Sequence, residues 1–504
     1  MTAAARFDAD RMFACIEQQV ALGPRRPGSA AGAANEDFLE GELRRLGLAS
    51  VRREPIAITA WEPGDAFLEP VDPRAGSPAG PAAGPPAGRA AGASSPIEAF
   101  AIPYTAFTDG IVEAPLIFAD GARLTQPGDW RGRVVVAEVR FPPLDPALLL
   151  RISLGRHDPD GTLGDVHHPA TWVRLGWHLY RLAAQRGAAA FVGILVDQPG
   201  GSCRMYAPYG FRERDILDKP IPGFWVGREA GATLAQLARR GGRARFASRG
   251  RRLPAITYNL MGEIPAQSDE TIVLSCHHDS PFASPVEDAS GIAVVLALAA
   301  DLAQRRALRR RVLVLLTAGH FYGSIGTRNF IAAHRHDEVA RTVLEISIEH
   351  VAREAVEAAD GRLVASGRPE PSALFVSFNR RLAQLTTRAL ADNGVDRALL
   401  LPAEGPLGDF PPTDGGDWYE AGVPLINCIS NPVYLLTDDD ALEWVDRARL
   451  PRVAGAFADL LDAVDGLSRA EIAAVDLPLR RLLMKALKHA ARARTTAFGL
   501  KPIY

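Results

Sequence analysis

Apolar and polar positions along this chain fall into stretches of different period. Over 8–23 (DADRMFACIEQQVALG) and 29–47 (SAAGAANEDFLEGELRRLG) the apolar residues recur at helical spacing, each stretch behind a capping residue, Asp8 or Ser29. This predicts two opening helices. VRREPIAITAW, from 51, has the alternation of a strand. Between 97 and 250 short β-like runs such as GRVVVAEVRF and AAAFVGILV are separated by glycine, proline and charged turns, the texture of a separate strand-rich domain. After 253 the strand-like TIVLSC, RRVLVLLTAG, RTVLEISIE and VPLINCIS alternate with the helix-like SGIAVVLALAADLAQR, GSIGTRNFIAAH and NRRLAQLTTRALADNG. Continuous apolar strands between helices predict an α/β domain with a mixed, mostly parallel sheet covered on both faces. Ligands of such sheets bind at the carboxyl ends of the strands.

Composition narrows the choice of partners. A chain of 504 residues is too long for one ordinary core and implies two or more domains. With a net charge of −2, nothing favours nucleic acid or an anionic membrane surface. The first twenty residues lack the apolar stretch of a signal peptide, and no run reaches the roughly 18 apolar residues of a spanning helix, so a cytoplasmic setting is expected. Cys15, Cys203, Cys276 and Cys428 are scattered without a CxxC pair, which speaks against a disulfide framework and a thiolate zinc site. Residues 73–96 hold too little apolar bulk to offset chain entropy and are expected to be a flexible loop. The boundaries that follow are 1–60, a linker over 61–96, an insert over 97–250, the α/β domain over 251–466 and a helical tail over 467–504. Within that tail LRRLLMKALKHAARA is a basic amphipathic helix, expected to pack on its own domain.

Four strand ends carry chemistry. SCHHDS sets His277, His278 and Asp279 where an apolar strand stops, and a carboxylate beside an imidazole orients it for metal binding; an ordinary polar turn is an equal reading. In SPVEDASG, Asp288 or Ser290 suits the cap of the following helix, which leaves Glu287 as a ligand. His320 and Phe321 follow RRVLVLLTAG, and Glu349 and His350 end ISIEH. Each alone is ordinary. Together, imidazoles and carboxylates at the strand ends of one sheet are the donor set of a hard or borderline divalent ion.

The order HHDS, EDASG, TAGHFYGSIGT, SIEH and TDGGDWYEAGVP resembles the family-28 metallopeptidases, the co-catalytic zinc aminopeptidases and their carboxypeptidase relatives. The resemblance covers the opening helices and most of 253–465. It implies a three-layer aminopeptidase-like fold, split so that 1–60 and 251–466 form the peptidase-like domain and 97–250 a protease-associated-like insertion. It further implies His277 as a metal ligand supported by Asp279, Glu287 in the bridging position in place of a shorter Asp, and Glu349 as the acid on the next strand. The rest of the family pattern is altered. His320 stands where the base Glu is expected, Phe321 where the second Glu binds metal, and Leu435 or Leu436 where a late His is expected. In TDGGDW, Gly415 replaces a frequent His while Asp414 and Asp417 remain. The single-zinc glutaminyl cyclases resemble the same fold, but two of the three residues they depend on are missing here.

The expectation is therefore a zinc-peptidase-like hydrolase of amide or peptide bonds, with one Zn²⁺ or similar ion at most, held by His277, Glu287 and Glu349. His320 serves as its base and Asp279 as its support. Its substrate is a peptide or an amide-containing small molecule, with no nucleic acid and no membrane as partner. A metal-independent enzyme of altered chemistry in the same cleft, using His320, His350, Asp414 and Asp417, is one alternative. A catalytically dead peptide-binding relative is the other.

Overall fold

The computed structural model describes residues 6–72, 95–120, 130–170, 175–207, 219–305 and 308–497. The opening helices run over Ala9–Ala21 and Ala30–Arg45, capped as expected: the Asp8 carboxylate accepts the N–H groups of Asp10 and Arg11, and the Ser29 hydroxyl that of Gly32. The described strands are β1 (Ala49–Val71), β2 (Phe100–Ala101), β3 (Val112–Phe118), β4 (Val134–Val139), β5 (Gly155–His157), β6 (Ala190–Leu195), β7 (Gly223–Gly227) and β8 (Arg243–Ile264). They continue with β9 (Ser268–His277), β10 (Arg310–Thr317), β11 (Thr342–Ile348), β12 (Arg353–Glu357), β13 (Leu363–Pro369), β14 (Ser372–Val376), β15 (Ala398–Pro402) and β16 (Leu425–Ser430).

All but β12 and β13 join one sheet, in the order β2-β7-β6-β4-β3-β8-β10-β9-β11-β16-β14-β15-β5, with β1 paired to β8. At its centre β10, β9, β11 and β16 are mutually parallel. Their sequences are continuous apolar runs because helices cover both faces, and β9 from Ile272 to His277 is wholly buried.

The strand-rich stretch is continuous with this sheet. The long ribbon β1/β8, antiparallel from Ala49↔Glu263 to Val71↔Arg243, joins the two parts. One end of β8 pairs with β3 and the other with β10. Residues 61–71, expected in a linker, are the far half of β1. Residues 73–94 of the expected flexible loop lie outside the described residues. The insert does have a core of its own: Val134, Val136 and Val192 face Leu234 and Ala238 of the helix Arg228–Arg239. Val135 and Phe191 turn by strand alternation to the other side. Part of the insert leaves this core altogether. The helix Pro146–Ile152 and β5 lie at the opposite edge, where β5 pairs with β15 and Ile152 packs on Phe375 and Leu399. The helix Pro478–Ala497 sends Met484 and Leu487 into the same cluster, as expected of a helix packed on its own domain. Among the described residues no helix is long and apolar enough to cross a membrane.

Candidate active site

Every chemically interesting strand end opens on one edge of the central sheet. His277 is the last residue of β9, His320 lies three residues beyond β10, and Glu349 and His350 follow β11 directly. The turn Pro285–Ser290 comes close because of Gly291, which begins the helix Gly291–Arg305. A Cβ there would sit 2.3 Å from the carbonyl oxygen of Ile348 and 2.4 Å from that of Glu349, so a side chain would push the helix off β11 and carry Glu287 and Asp288 away from the site.

His277 Nδ1 lies 3.0 Å from the carbonyl oxygen of Asp279, which favours the tautomer with Nε2 basic and turned towards the acids. His277 Nε2 is 3.0 Å from Glu287 Oε1 and 3.4 Å from Asp288 Oδ2. The other Glu287 oxygen, Oε2, is 2.7 Å from His350 Nε2, and His350 Nδ1 faces the carbonyl of Ser430 at 3.0 Å. Ligand atoms of His277, Asp288 and Glu349 all lie within 4.8 Å of one another. Glu349 Oε1 accepts the N–H of Asp414 at 3.1 Å, and Asp414 holds His320 Nδ1 at 3.2 Å and the Thr317 hydroxyl at 3.3 Å. The His320 ring is stacked on that of His277, centroids 4.2 Å apart.

Surrounding groups fix these positions. The Asp440 carboxylate accepts the N–H groups of Val286 and Glu287 at 3.1 and 3.0 Å. Arg25, fully buried, donates to the carbonyls of Gln19, Ala283 and Ser284 and so ties the opening helix to the loop ahead of the acid pair. The Asp279 carboxylate accepts the N–H groups of His320 and Phe321 at 2.9 and 3.1 Å.

Burial and mutual charge set the protonation of the cluster. Burial pushes Glu349 up to about 7, helped by Asp414 and opposed by the imidazoles; burial likewise brings Asp440 to about 7 against its two N–H donors. Asp288 is raised well above the carboxylate range by burial, beyond what His277 offsets. Glu287 moves the other way: burial would raise it, but His350 and His277 hold it low. Burial would lower both His277 and His350, and their acidic neighbours raise them instead, Asp288 and Glu287 for His277, Glu287 and Glu349 for His350. Among the described residues neither Glu287 nor Glu349 has an arginine or lysine ion pair.

The donors suit a metal ion. His277 Nε2 and His350 Nε2 are each within reach of Glu287, yet neither makes a well-directed hydrogen bond, and among the described residues Asp288 Oδ1 has no hydrogen-bond partner. Contact distances without hydrogen-bond alignment are what lone pairs aimed at a common point produce, and imidazole with carboxylate is a zinc-type set.

Glu287, His320, Glu349 and His350 form the polar end of a cavity of about 130 Å³. Its other walls are largely apolar, among them Leu149, Leu150 and Leu163 from the insert and Leu399, Leu401 and Leu436 from the α/β domain. On the far side of His277 the space is aromatic: Phe321 meets Tyr206 edge-on at 5.7 Å, and Tyr206 in turn touches Tyr104 and Phe282. Tyr206 belongs to MYAPYGF; Met205 to Ala207 are buried, and the rest of that stretch lies outside the described residues.

The structure thus brings His277, Glu287, Glu349 and His320 together. Two assignments change. The orienting contact to His277 comes from the backbone oxygen of Asp279, whose carboxylate anchors the 320–321 backbone, 3.6 Å from His277 Nδ1. Asp288 is not a helix cap: Cys276 donates to it at 2.9 Å, and it joins His277 and Glu349 as the third member of the close group, whereas Glu287 spans two imidazoles. The cap reading hid Asp288, because an acid just before a helix is ordinary by sequence. Arg25 and Asp440 gave no signal at all. His168 is buried against Glu370.

A mostly parallel sheet with acids and imidazoles gathered at its strand ends puts the cluster where such sheets bind their ligands. Residues 259–456 match the model of peptidase family M28. Among curated proteins none matches. Solved structures agree in fold over nearly the whole length. A zinc aminopeptidase from Bacillus subtilis has 16% identity and a TM-score of 0.63, covering 92% of this chain and 98% of its own. A peptidase M28 precursor from Shewanella amazonensis has 15% identity and a TM-score of 0.65, covering 92% and 95%. An aminopeptidase from Aneurinibacillus sp. has 18% identity and a TM-score of 0.58, covering 91% and 94%.

Proposed function

We propose that this chain hydrolyses an amide bond of a peptide or small molecule at the polar end of the cavity, with at most one divalent ion. The carrying observation is the close group His277, Asp288 and Glu349, with Glu287 3.0 Å from His277 and, among the described residues, no arginine or lysine in an ion pair with these acids. His277, Glu349 and one or both of Glu287 and Asp288 would hold the ion. Bound there, a zinc-type ion supplies Lewis acidity and a water of near-neutral pKa.

The protein's own groups do the rest. His320, with Nδ1 donating to Asp414, is the tautomer with a basic Nε2 and takes a proton from the attacking water. Asp279 holds the backbone that carries His320. The apolar walls bind the substrate's body and exclude water, which strengthens each charge interaction at the polar end. A second ion is not part of the proposal, because Phe321 is packed among aromatic rings and Leu435 and Leu436 are buried apolar wall residues. The separate core of the strand-rich part supports a protease-associated-like insertion, and four unpaired cysteines suit the cytoplasm.

The test is metal analysis of protein purified without chelator, together with a panel of aminoacyl and acylamino anilides. One equivalent of metal, lost with activity in His277→Ala, is expected. Metal-free protein inert on the panel would overturn the proposal. One observation favours a metal-independent enzyme instead: Glu287 already has an imidazole at each oxygen, at 3.0 and 2.7 Å, so its charge can be met without any ion. Hydrolysis that survives exhaustive chelation and is lost in His320→Ala would establish that reading.

A further inference from the structure

The cavity has a second polar centre that the proposed hydrolysis leaves unused. Glu370, His168, Ser430 and Asn431 line it together with its leucines. Glu370 is 3% exposed, and of its two oxygens only Oε1 is engaged, 3.1 Å from His168 Nδ1. Oε2 has no partner. The same His168 nitrogen lies 3.2 Å from the carbonyl of Asn431, so Glu370 and Asn431 are neighbours around one ring. Asn431 Nδ2 donates to Pro169, which leaves its Oδ1 as an acceptor, also without a partner, and the hydroxyl of the adjacent Ser430 is a third such atom. The nearby Glu354 is a different case, because Arg397 and Arg368 already satisfy it.

Three buried acceptors, one of them a carboxylate oxygen, belong to residues that line the same largely apolar cavity. Leaving an acceptor buried without a donor is costly, so the set calls for a ligand that brings donors. An ammonium group brings three N–H bonds and one positive charge, matching three acceptors and one carboxylate. A hydroxyl brings one donor, and a carboxylate would meet Glu370 with like charge. Among the described residues Glu370 has no arginine or lysine at hydrogen-bond distance, only the His168 ring, so an arriving ammonium can take over that pairing.

We propose that Glu370, Asn431 and Ser430 form a subsite for a protonated amine, and that the substrate is an amide whose apolar chain carries that amine away from the scissile carbonyl. The separation follows from the connectivity. Between Glu287 and Glu370 stand the His350 and His168 rings, anchored on the consecutive carbonyls of Ser430 and Asn431. An α-ammonium, two bonds from the carbonyl, would stay beside Glu287 and Glu349. This substrate class rests on the hydrolase reading; the amine subsite itself does not.

The test is therefore a binding measurement. Calorimetric titration of the full chain with n-hexylamine and with 1-hexanol, in chelator-treated protein and in His277→Ala, is expected to show the amine bound at least ten-fold more tightly in both. Glu370→Gln should bring the ratio below three, and Asn431→Ala should lower it several-fold should Glu370→Gln fail to fold. Equal affinity for amine and alcohol in the unmutated chain overturns the subsite. A preference that persists in Glu370→Gln but vanishes in His277→Ala overturns it as well, since the amine then sits at the acid–imidazole cluster. An amine preference in protein that hydrolyses no anilide retires the hydrolase and keeps the subsite, whereas anilide hydrolysis without amine preference does the reverse.

Discussion

Glu345 lies in the middle of β11, beneath the site, and is fully buried. It accepts from the Ser275 hydroxyl and from Asn427 Nδ2, both at 2.6 Å, and burial still pushes it up to about 8, beyond what those two bonds offset. Between pH 4.5 and about 8 it is therefore a neutral acid in the fold and an ionised one in the unfolded chain. The folded state holds one proton more across that window, so the stability Glu345 contributes is complete below its ordinary value of 4.5 and is lost as pH rises to about 8. At about 1.4 kcal/mol per pH unit, the interval sets a ceiling of about 5 kcal/mol. Glu345→Gln removes this dependence while keeping the shape, because the amide oxygen can accept from Asn427 and the amide nitrogen can donate to Ser275. In urea unfolding followed by tryptophan fluorescence, wild type and variant should be close at pH 5 and diverge with rising pH, the variant ahead by about 2–5 kcal/mol at pH 8.5. Taking the difference between the two proteins cancels the other buried acids. Parallel profiles from pH 5 to 8.5 would refute the argument, and so would a variant weaker at pH 8.5.

Gly415→Ala would put a Cβ 2.0 Å from Asn427 Oδ1, which also accepts the Thr413 hydroxyl, so we expect a loss of about 1–3 kcal/mol and a fall in kcat as Asp414 shifts under His320; melting temperature and kcat report the two effects. Asp279→Asn leaves one of two backbone N–H groups facing an amide NH₂; a loss of about 1–3 kcal/mol is expected, together with at least ten-fold slower hydrolysis, measured by unfolding and by kcat/KM. Phe321→Glu buries a carboxylate against the Tyr206 ring and should cost several kcal/mol. It should bind no second metal equivalent, since Leu435 and Leu436 remain, and a stoichiometry of two by metal analysis would contradict this.

The α/β half was legible because its signal is local. Apolar runs that stop at His277, Glu349 or His350 mark strand and strand end in one stroke, and the order of runs gives the parallel centre. What escaped depends on partners far away in sequence. The β1/β8 ribbon pairs residues nearly two hundred positions apart, and its outer half, WEPGDAFLEPV, has the prolines and glycine of a loop. Residues 144–166 gave no sign that they would leave the insert to wall the cavity. His168 and Glu370 each look like loop polarity until the fold sets them 3.1 Å apart. Gly415 stood out only as a missing His; the structure supplies the steric reason for a glycine.

The cluster's residues do not bear equally on function. Asp279 would be needed by the fold alone, since its carboxylate satisfies two buried N–H groups, and Gly291 would be needed because nothing larger fits against β11. Neither discriminates an enzyme from a retired one. Glu287, Asp288 and Glu349 do: each is buried, and their nearest cations are imidazoles that pay the same desolvation penalty. The aromatic packing around Phe321 shows how this chain fills a pocket that has no charge to serve. Had the acidic side been released from chemistry, apolar side chains there would stabilise the fold in the same way, so its retained carboxylates are the physical argument for a working site.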